Sequence, residues 1–305
     1  MTISWPEDAR ARFGSDLLQA THSLGQSPLF CDASLEALLD AYPRDRLGVW
    51  AFADHGEGEE APVKGDARNL PGRDILQAVK KGRIWLNLRA TNQLVSDYSA
   101  LGETIFESLQ TASGQRVLKR DMSVLISSPG IHVHYHLDIP LVALFQVRGE
   151  KTVWFYPPTS RFAPDEKLEA IVLREQEEGL SFSEDFESES EVLPLKPGMG
   201  VTWPQNAPHR VQNGDMMNVS LSCEFMTLPG LIRANAIYAN GRIRRQFGAT
   251  LKRPSGMTPL TLSKAALARA IKPFDRSAPS EAPTPASFVL DLSHEHCVRS
   301  IEATV

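Results

Sequence analysis

Gly130-Ile131-His132-Val133-His134-Tyr135-His136-Leu137-Asp138 is the stretch on which the fold turns. β-Branched and aromatic residues alternate there with histidines, and Pro129 and Pro140 bracket the run, so it reads as a strand between two turns. Residues i and i+2 of a strand share a face, which lets His136 and Asp138 both point into a barrel. By the same periodicity His132 and His134 lie on that face too.

Short β-rich runs continue on both sides of it: Met122 to Ile126, Ile131 to Tyr135, Leu141 to Val147, Thr152 to Tyr156, Val192 to Leu195, Val201 to Trp203 and Val219 to Phe225. Pro, Gly and polar turns separate them, as in a sandwich or jelly roll. Residues 117–226 are therefore expected to form a β core.

The first 116 residues mix helix and strand and are expected to pack on that core. Ser34 to Tyr42, Asp74 to Lys81 and Tyr98 to Leu109 have helical patterns, whereas Leu47 to Phe52 and Arg83 to Leu88 look like strands. Gly56 to Arg68 is polar and Gly-rich, so it is expected as a loop. Beyond the core, Leu231 to Phe247 and Ser263 to Ile271 look helical within 227–274. Residues 275–305 are expected to be a flexible linker, SAPSEAPTPA at 277–286, and a last stretch that is either one docked strand or a tail, in which His294-Glu295-His296-Cys297 is incidental.

The net charge of −5 over 305 residues is too mild to advertise nucleic acid or membrane, but it is an average of opposites. Residues 165–191, an insertion with a helical pattern over Lys167 to Glu178, hold eleven acids and two bases. Residues 226–273 hold nine bases and no acid. Each is either a solvated face, or the basic helices dock on the acidic insertion of the same or another subunit. A nucleic-acid surface is the third alternative, without aromatic interleaving to support it. Cys31, Cys223 and Cys297 are too few and too scattered for a disulfide framework or a zinc motif. With no basic-then-apolar leader in MTISWPEDARARF and no membrane-length apolar run, a cytoplasmic location is expected.

His209 sits about seventy residues after Asp138, in Gly198-Met199-Gly200-Val201-Thr202-Trp203-Pro204-Gln205-Asn206-Ala207-Pro208-His209-Arg210-Val211-Gln212-Asn213. Two histidines and one carboxylate on one face of an octahedral ion leave three positions open, the facial triad of non-haem Fe(II) oxygenases.

The same residues carry a family resemblance. His136-Leu137-Asp138, then Gln146-Val147-Arg148-Gly149-Glu150-Lys151 leading into Val153-Trp154-Phe155-Tyr156-Pro157-Pro158, resembles the JmjC/cupin-like 2-oxoglutarate oxygenases, whose pattern is H-x-D, Q-x-x-G-x-K and an aromatic strand ending in proline. Gly198, Pro204, His209 and Asn213 match the spacing of the second cupin motif, with Asn206 in place of its middle glycine. Asn tolerates left-handed backbone angles, so the replacement is mild. The resemblance is densest over 122–225, and to Phe274 the chain is similar to bacterial cupin-like domain proteins.

The resemblance implies a mainly β protein with added α structure. A double-stranded β-helix, the jelly-roll cupin core, would carry an α/β N-terminal extension and C-terminal helices. It implies His136, Asp138 and His209 as iron ligands and Lys151 on the distal carboxylate of 2-oxoglutarate. The family's second carboxylate-binding hydroxyl falls at Val133 here, a departure for which Ser220, Ser222 or Asn218 are the candidate substitutes. His134 either donates an outer hydrogen bond or competes as a ligand with His136 and His209. The implied activity is Fe(II)- and 2-oxoglutarate-dependent oxidation of a C–H bond with O2, yielding succinate and CO2, of hydroxylase or demethylase type. The substrate would be a protein or small molecule rather than nucleic acid, and the chain a homodimer through its C-terminal helices. Two alternatives remain at this point: a cupin that holds a metal and a small acid without turnover, as a sensor, and a nucleic-acid-associated regulator.

Overall fold

Apolar alternation sets the strands, and the helices lie where the apolar period lengthens to three or four. The computed structural model describes residues 1–52, 62–275 and 285–301. The N-terminal part contains β1 (Ile3–Ser4), α1 (Ala9–Arg12), β2 (Leu18–His22), α2 (Asp32–Ala41), β3 (Gly48–Ala51), β4 (Val63–Asp66), α3 (Gly72–Lys81), β5 (Ile84–Leu88), α4 (Thr91–Leu94) and α5 (Ser99–Ser113). Eight strands follow: β6 (Leu118–Ser127), β7 (His132–His136), β8 (Leu141–Arg148), β9 (Lys151–Phe155), β10 (Glu191–Leu195), β11 (Met199–Thr202), β12 (His209–Asn213) and β13 (Asn218–Met226), with α6 (Asp165–Val172) between β9 and β10. The chain continues through α7 (Leu228–Phe247), α8 (Pro259–Ile271), β14 (Phe288–Leu290) and β15 (Val298–Ser300).

The strands form two sheets. The large one runs β1-β2-β11-β8-β13-β6-β5-β3-β4-β14-β15 and the small one β10-β9-β12-β7. Val142 and Leu144 of β8 meet Val153 and Phe155 of β9 and Val211 of β12 in one buried cluster between the sheets. The alternate residues of the large sheet, such as Val124, Ile126, Phe145, Leu221 and Phe225, bury against α2, α3 and α5 through Leu35, Leu39, Ile75, Leu76, Ile105 and Phe106. The large sheet is thus covered on both faces, which explains the near-continuous apolar run of β8, whereas β13 alternates apolar residues with an inward row of Asn218, Ser220 and Ser222. Far from standing apart from the β core, the N-terminal part lends it five strands of the same sheet.

Three segments differ from the sequence expectation. Val63–Asp66, inside the stretch expected as a loop, is a strand; residues 56–61 of that stretch lie outside the described residues. β12 has no apolar run to announce it, because its inward row is His209, Val211 and Asn213. The last stretch, expected as one docked strand or a tail, docks as two strands: β14 pairs parallel to β4 and antiparallel to β15, and the Phe288 ring lies where a side chain on Gly65 would stand. The linker residues 276–284 lie outside the described residues.

The two charged stretches meet within the chain. Buried Glu169 on α6 accepts from Arg244 of α7 at 2.5 Å, and Arg245 pairs with Glu175. Arg253 donates to Asp165 at 2.7 Å and to the carbonyl of Pro158 at 2.7 Å. Arg233 donates to the Pro254 carbonyl at 3.0 Å and Arg242 lies 3.3 Å from Asp275. Three of the nine bases, Arg244, Arg245 and Arg253, therefore hold the insertion, whereas Arg233 and Arg242 bond within the C-terminal region. Among the described residues no helix is long and apolar enough to cross a membrane.

Candidate metal centre

β7 and β12 pair out of step. His136 faces His209 and Val133 faces Val211, so three residues of β7 span two of β12. This bulge puts Val133 and His136 on the inward face and takes His134 off it. The sequence expectation that His132, His134 and His136 share a face is corrected by that register. The rings of His132 and His134 instead lie 5.3 Å apart, with Phe52 at 6.3 Å from His134.

His136, Asp138 and His209 converge: one ligand atom from each lies within 4.8 Å of the others. Asp138 Oδ2 is 3.5 Å from His209 Nε2, and the two imidazole centroids are 4.2 Å apart. His136 Nδ1 lies 2.7 Å from the carbonyl of His134, and His209 Nδ1 3.2 Å from the carbonyl of Ala207. A carbonyl only accepts, so each Nδ1 carries the proton and each Nε2 presents a lone pair to the centre. His134 thus contributes its backbone oxygen, and its ring neither bonds His136 nor joins the triad.

Electrostatics point the same way. Burial, then the neighbouring His136, holds His209 well below the usual imidazole range, so it is neutral. Desolvation raises the Asp138 carboxyl, opposed by His136 and Arg89. One carboxyl and two imidazole groups around one point match the donor set of a divalent transition metal. Trp203 and Phe155 wall the far side of His209, at 4.8 and 6.2 Å between ring centroids.

Lys151 is inward on β9, paired with Leu195 and Asn213. Phe155, four residues on, faces His209, which places Lys151 roughly 13 Å deeper along the barrel. It is 8% exposed and has no ion pair or hydrogen bond among the described residues; burial alone brings its pKa down to about 8. A cavity of about 170 Å³ is lined by Lys151, Leu195 and Asn213 together with Thr152, Pro194 and Gln212 of the opposite strand face.

Ser220 is buried and donates to Gln146 Oε1 at 2.7 Å, while Gln146 Nε2 donates to Asn218 Oδ1 and to the carbonyls of Arg148 and Gly149. Ser220 and Asn218 are thereby engaged within the protein. Ser222, one step nearer the mouth on the same inward row, has no hydrogen bond among the described residues.

The mouth carries residues with no motif in the sequence, because they come from three distant segments. Arg89 donates to Glu224 at 3.1 Å. Burial raises Glu224 to about 7, against Arg89 and with Asp138 and Asp121. Glu178 of the insertion stands exposed at the rim, its carboxyl raised by partial desolvation and then by Asp138 and Glu224. The insertion reaches this point because Leu137 N–H donates to the Glu178 carbonyl and Leu180 N–H to that of Tyr135. In the tail, Cys297 is buried in the main core, and among the described residues His294 to Cys297 form no three-residue metal cluster.

No family model matches the chain, and no curated protein matches it by sequence. Solved structures do. The X-ray structure of E. coli YcfD is 16% identical, with a TM-score of 0.50 over 89% of this chain and 70% of that one. The crystal structure of Escherichia coli ribosomal oxygenase YcfD is 15% identical, with a TM-score of 0.49 over 89% and 68%. YcfD in complex with cobalt and 2-oxoglutarate gives 0.42 at 15% identity, over 81% and 59%. The chain is therefore similar in fold to YcfD, a ribosomal oxygenase of Escherichia coli.

Proposed function

We propose that this chain is an Fe(II)- and 2-oxoglutarate-dependent oxygenase. The eight strands β6 to β13 would form its double-stranded β-helix, and the reaction would yield succinate and CO2 while oxidising a C–H bond of hydroxylase or demethylase type. The observation that carries this is the pairing of the His136–Asp138–His209 centre with an unpaired, buried Lys151 deeper in the same barrel. An isolated buried ammonium is costly, and a bound dicarboxylate supplies the missing counter-charge.

The residues divide the work. His136 and His209 hold iron through Nε2, with tautomers fixed by the His134 and Ala207 carbonyls, and Asp138 supplies the anionic donor. Lys151 binds the distal carboxylate of 2-oxoglutarate. Ser222 takes the hydroxyl role that the resemblance places at Val133, since Ser220 and Asn218 already serve Gln146. When bound, the iron supplies activation of O2 coupled to decarboxylation of the keto acid. Phe155, Trp203 and Val211 keep water from that side of the centre.

Arg244, Arg245 and Arg253, three of the nine bases of the C-terminal region, pair with carboxylates of the insertion, which leaves less positive surface for a polyanion. This supports a protein or small-molecule substrate over nucleic acid. YcfD, similar in fold, is a ribosomal oxygenase, which suits a protein substrate. Exposed Leu260, Leu267 and Phe274, spaced by seven along and just beyond α8, support a homodimer through the C-terminal helices. Free Cys31, Cys223 and Cys297 support a cytoplasmic setting.

Val133 on the inward face favours one second reading, a cupin that holds metal and a small acid without turnover. Anaerobic Fe(II) and 2-oxoglutarate should give a visible charge-transfer band, and oxygen should then give succinate. A band without succinate selects the sensor; no band and no succinate ends the oxygenase proposal.

A further inference from the structure

Asp138 lies past the end of β7, in the Leu137–Pro140 connection, where no strand ladder fixes it. Its carbonyl accepts from Asn206 Nδ2 at 2.9 Å, and the next carbonyl, Ile139, accepts from Gln205 Nε2 at 2.9 Å. Two consecutive side-chain amides therefore take the place of a backbone partner. Gln205 also donates to the Gly230 carbonyl, at 3.3 Å, in the first turn of α7.

Asn206 is 2% exposed and left-handed, with φ 64°. Glycine holds this position in the motif the sequence resembles, and glycine would satisfy the backbone at least as well. The amide is thus an addition to what the turn requires. Its orientation is fixed from both sides: Arg233 Nε approaches Oδ1 at 3.4 Å and can only donate, while the Asp138 carbonyl can only accept. Arg233 is itself anchored on the Pro254 carbonyl. A relay runs from α7 through Arg233 and Asn206 to the main chain of Asp138.

We infer that Asn206 is a positioning residue for the ligand Asp138, through which α7 sets the metal centre. The inference rests on the proposed metal-binding role of Asp138. Asn206→Gly keeps the backbone and deletes the amide. Asn206→Asp keeps shape and the Arg233 partner but turns an acceptor toward the Asp138 carbonyl.

The test is Co(II) titration of the metal-free chain, read by calorimetry and by the visible d–d bands, without turnover. Both variants should bind Co(II) about 10–100-fold more weakly, with altered band intensities, as for lost outer-shell partners. Phe288→Leu, which loosens the distant tail, should lower thermal stability and leave Co(II) affinity and spectrum unchanged; an equal affinity loss there would make the effect general destabilisation and overturn the inference. Asn206→Asp and Asn206→Gly that match the unchanged chain in both readouts overturn it directly. If His136→Ala also binds as tightly as the unchanged chain, the metal-centre proposal falls and takes this one with it.

Discussion

His136 and His209 face each other across the β7–β12 pair, each with Nδ1 on the carbonyl two residues before it. The two rings therefore present equivalent Nε2 lone pairs to one point, with Asp138 as the third donor. Replacing any one of the three by Ala should weaken Fe(II) or Co(II) binding by more than about 100-fold, beyond the loss typical of outer partners. Anaerobic calorimetry checks it, and retained affinity in the Asp138→Ala variant would remove the carboxylate from the ligand set.

Lys151 gives a signed pH dependence. Its pKa in the free chain is about 8, and a bound dicarboxylate raises it, so binding takes up a proton above pH 8. Affinity for 2-oxoglutarate should be full below pH 8 and fall as pH rises through it. The folded value lies below the unfolded 10.5, so the unfolded chain holds more protons between the two and stability should rise across that window. A Lys151→Met chain should lack both trends, bind 2-oxoglutarate more weakly by about 2–5 kcal/mol, and unfold with about 1–3 kcal/mol more stability at pH 7. Equal 2-oxoglutarate affinity in that variant would deny the lysine its role.

The Glu169–Arg244 pair anchors the insertion on α7, with Glu169 only 3% exposed at its side chain. Glu169→Leu leaves a largely buried arginine unpaired and should cost on the order of 3 kcal/mol. Adding Arg244→Leu should restore part of that loss, which a double-mutant cycle in urea would measure. Additive losses would mean that the pair is not coupled.

A dimer through α8 requires its exposed apolar row. Leu267→Glu combined with Leu260→Glu should convert a dimer to a monomer in light scattering, with the fold retained by circular dichroism. An unchanged chain that is monomeric at tens of micromolar would count against the homodimer.

Phe288 is 2% exposed and covers Gly65. Phe288→Ala should cost about 3–5 kcal/mol if β14 is integral to the sheet. A midpoint shift in urea near zero would instead mark the tail as an appendage.

The triad and the order of the β core were legible because both are local. His136 and Asp138 lie two residues apart, His209 sits in a spaced motif, and most core strands carry apolar runs. β12 was not legible as a strand, since its inward positions are polar and a hydrophobic pattern cannot flag them. The sharing of one face by all three histidines failed for a different reason. A single extra residue in β7 shifts its register, and a bulge is a property of the pair of strands rather than of either one.

By itself, the sequence determined the donor types, the lysine and the opposite signs of two long segments. Only the tertiary structure decided that those segments meet through Arg244, Arg245 and Arg253 within one chain, that Ser220 serves Gln146, and that Glu178, Glu224 and Arg89 gather at the mouth. Side-chain identity is a local fact. Partnership between residues 75 or 135 positions apart depends on how the strands and helices pack, and no short-range pattern encodes it.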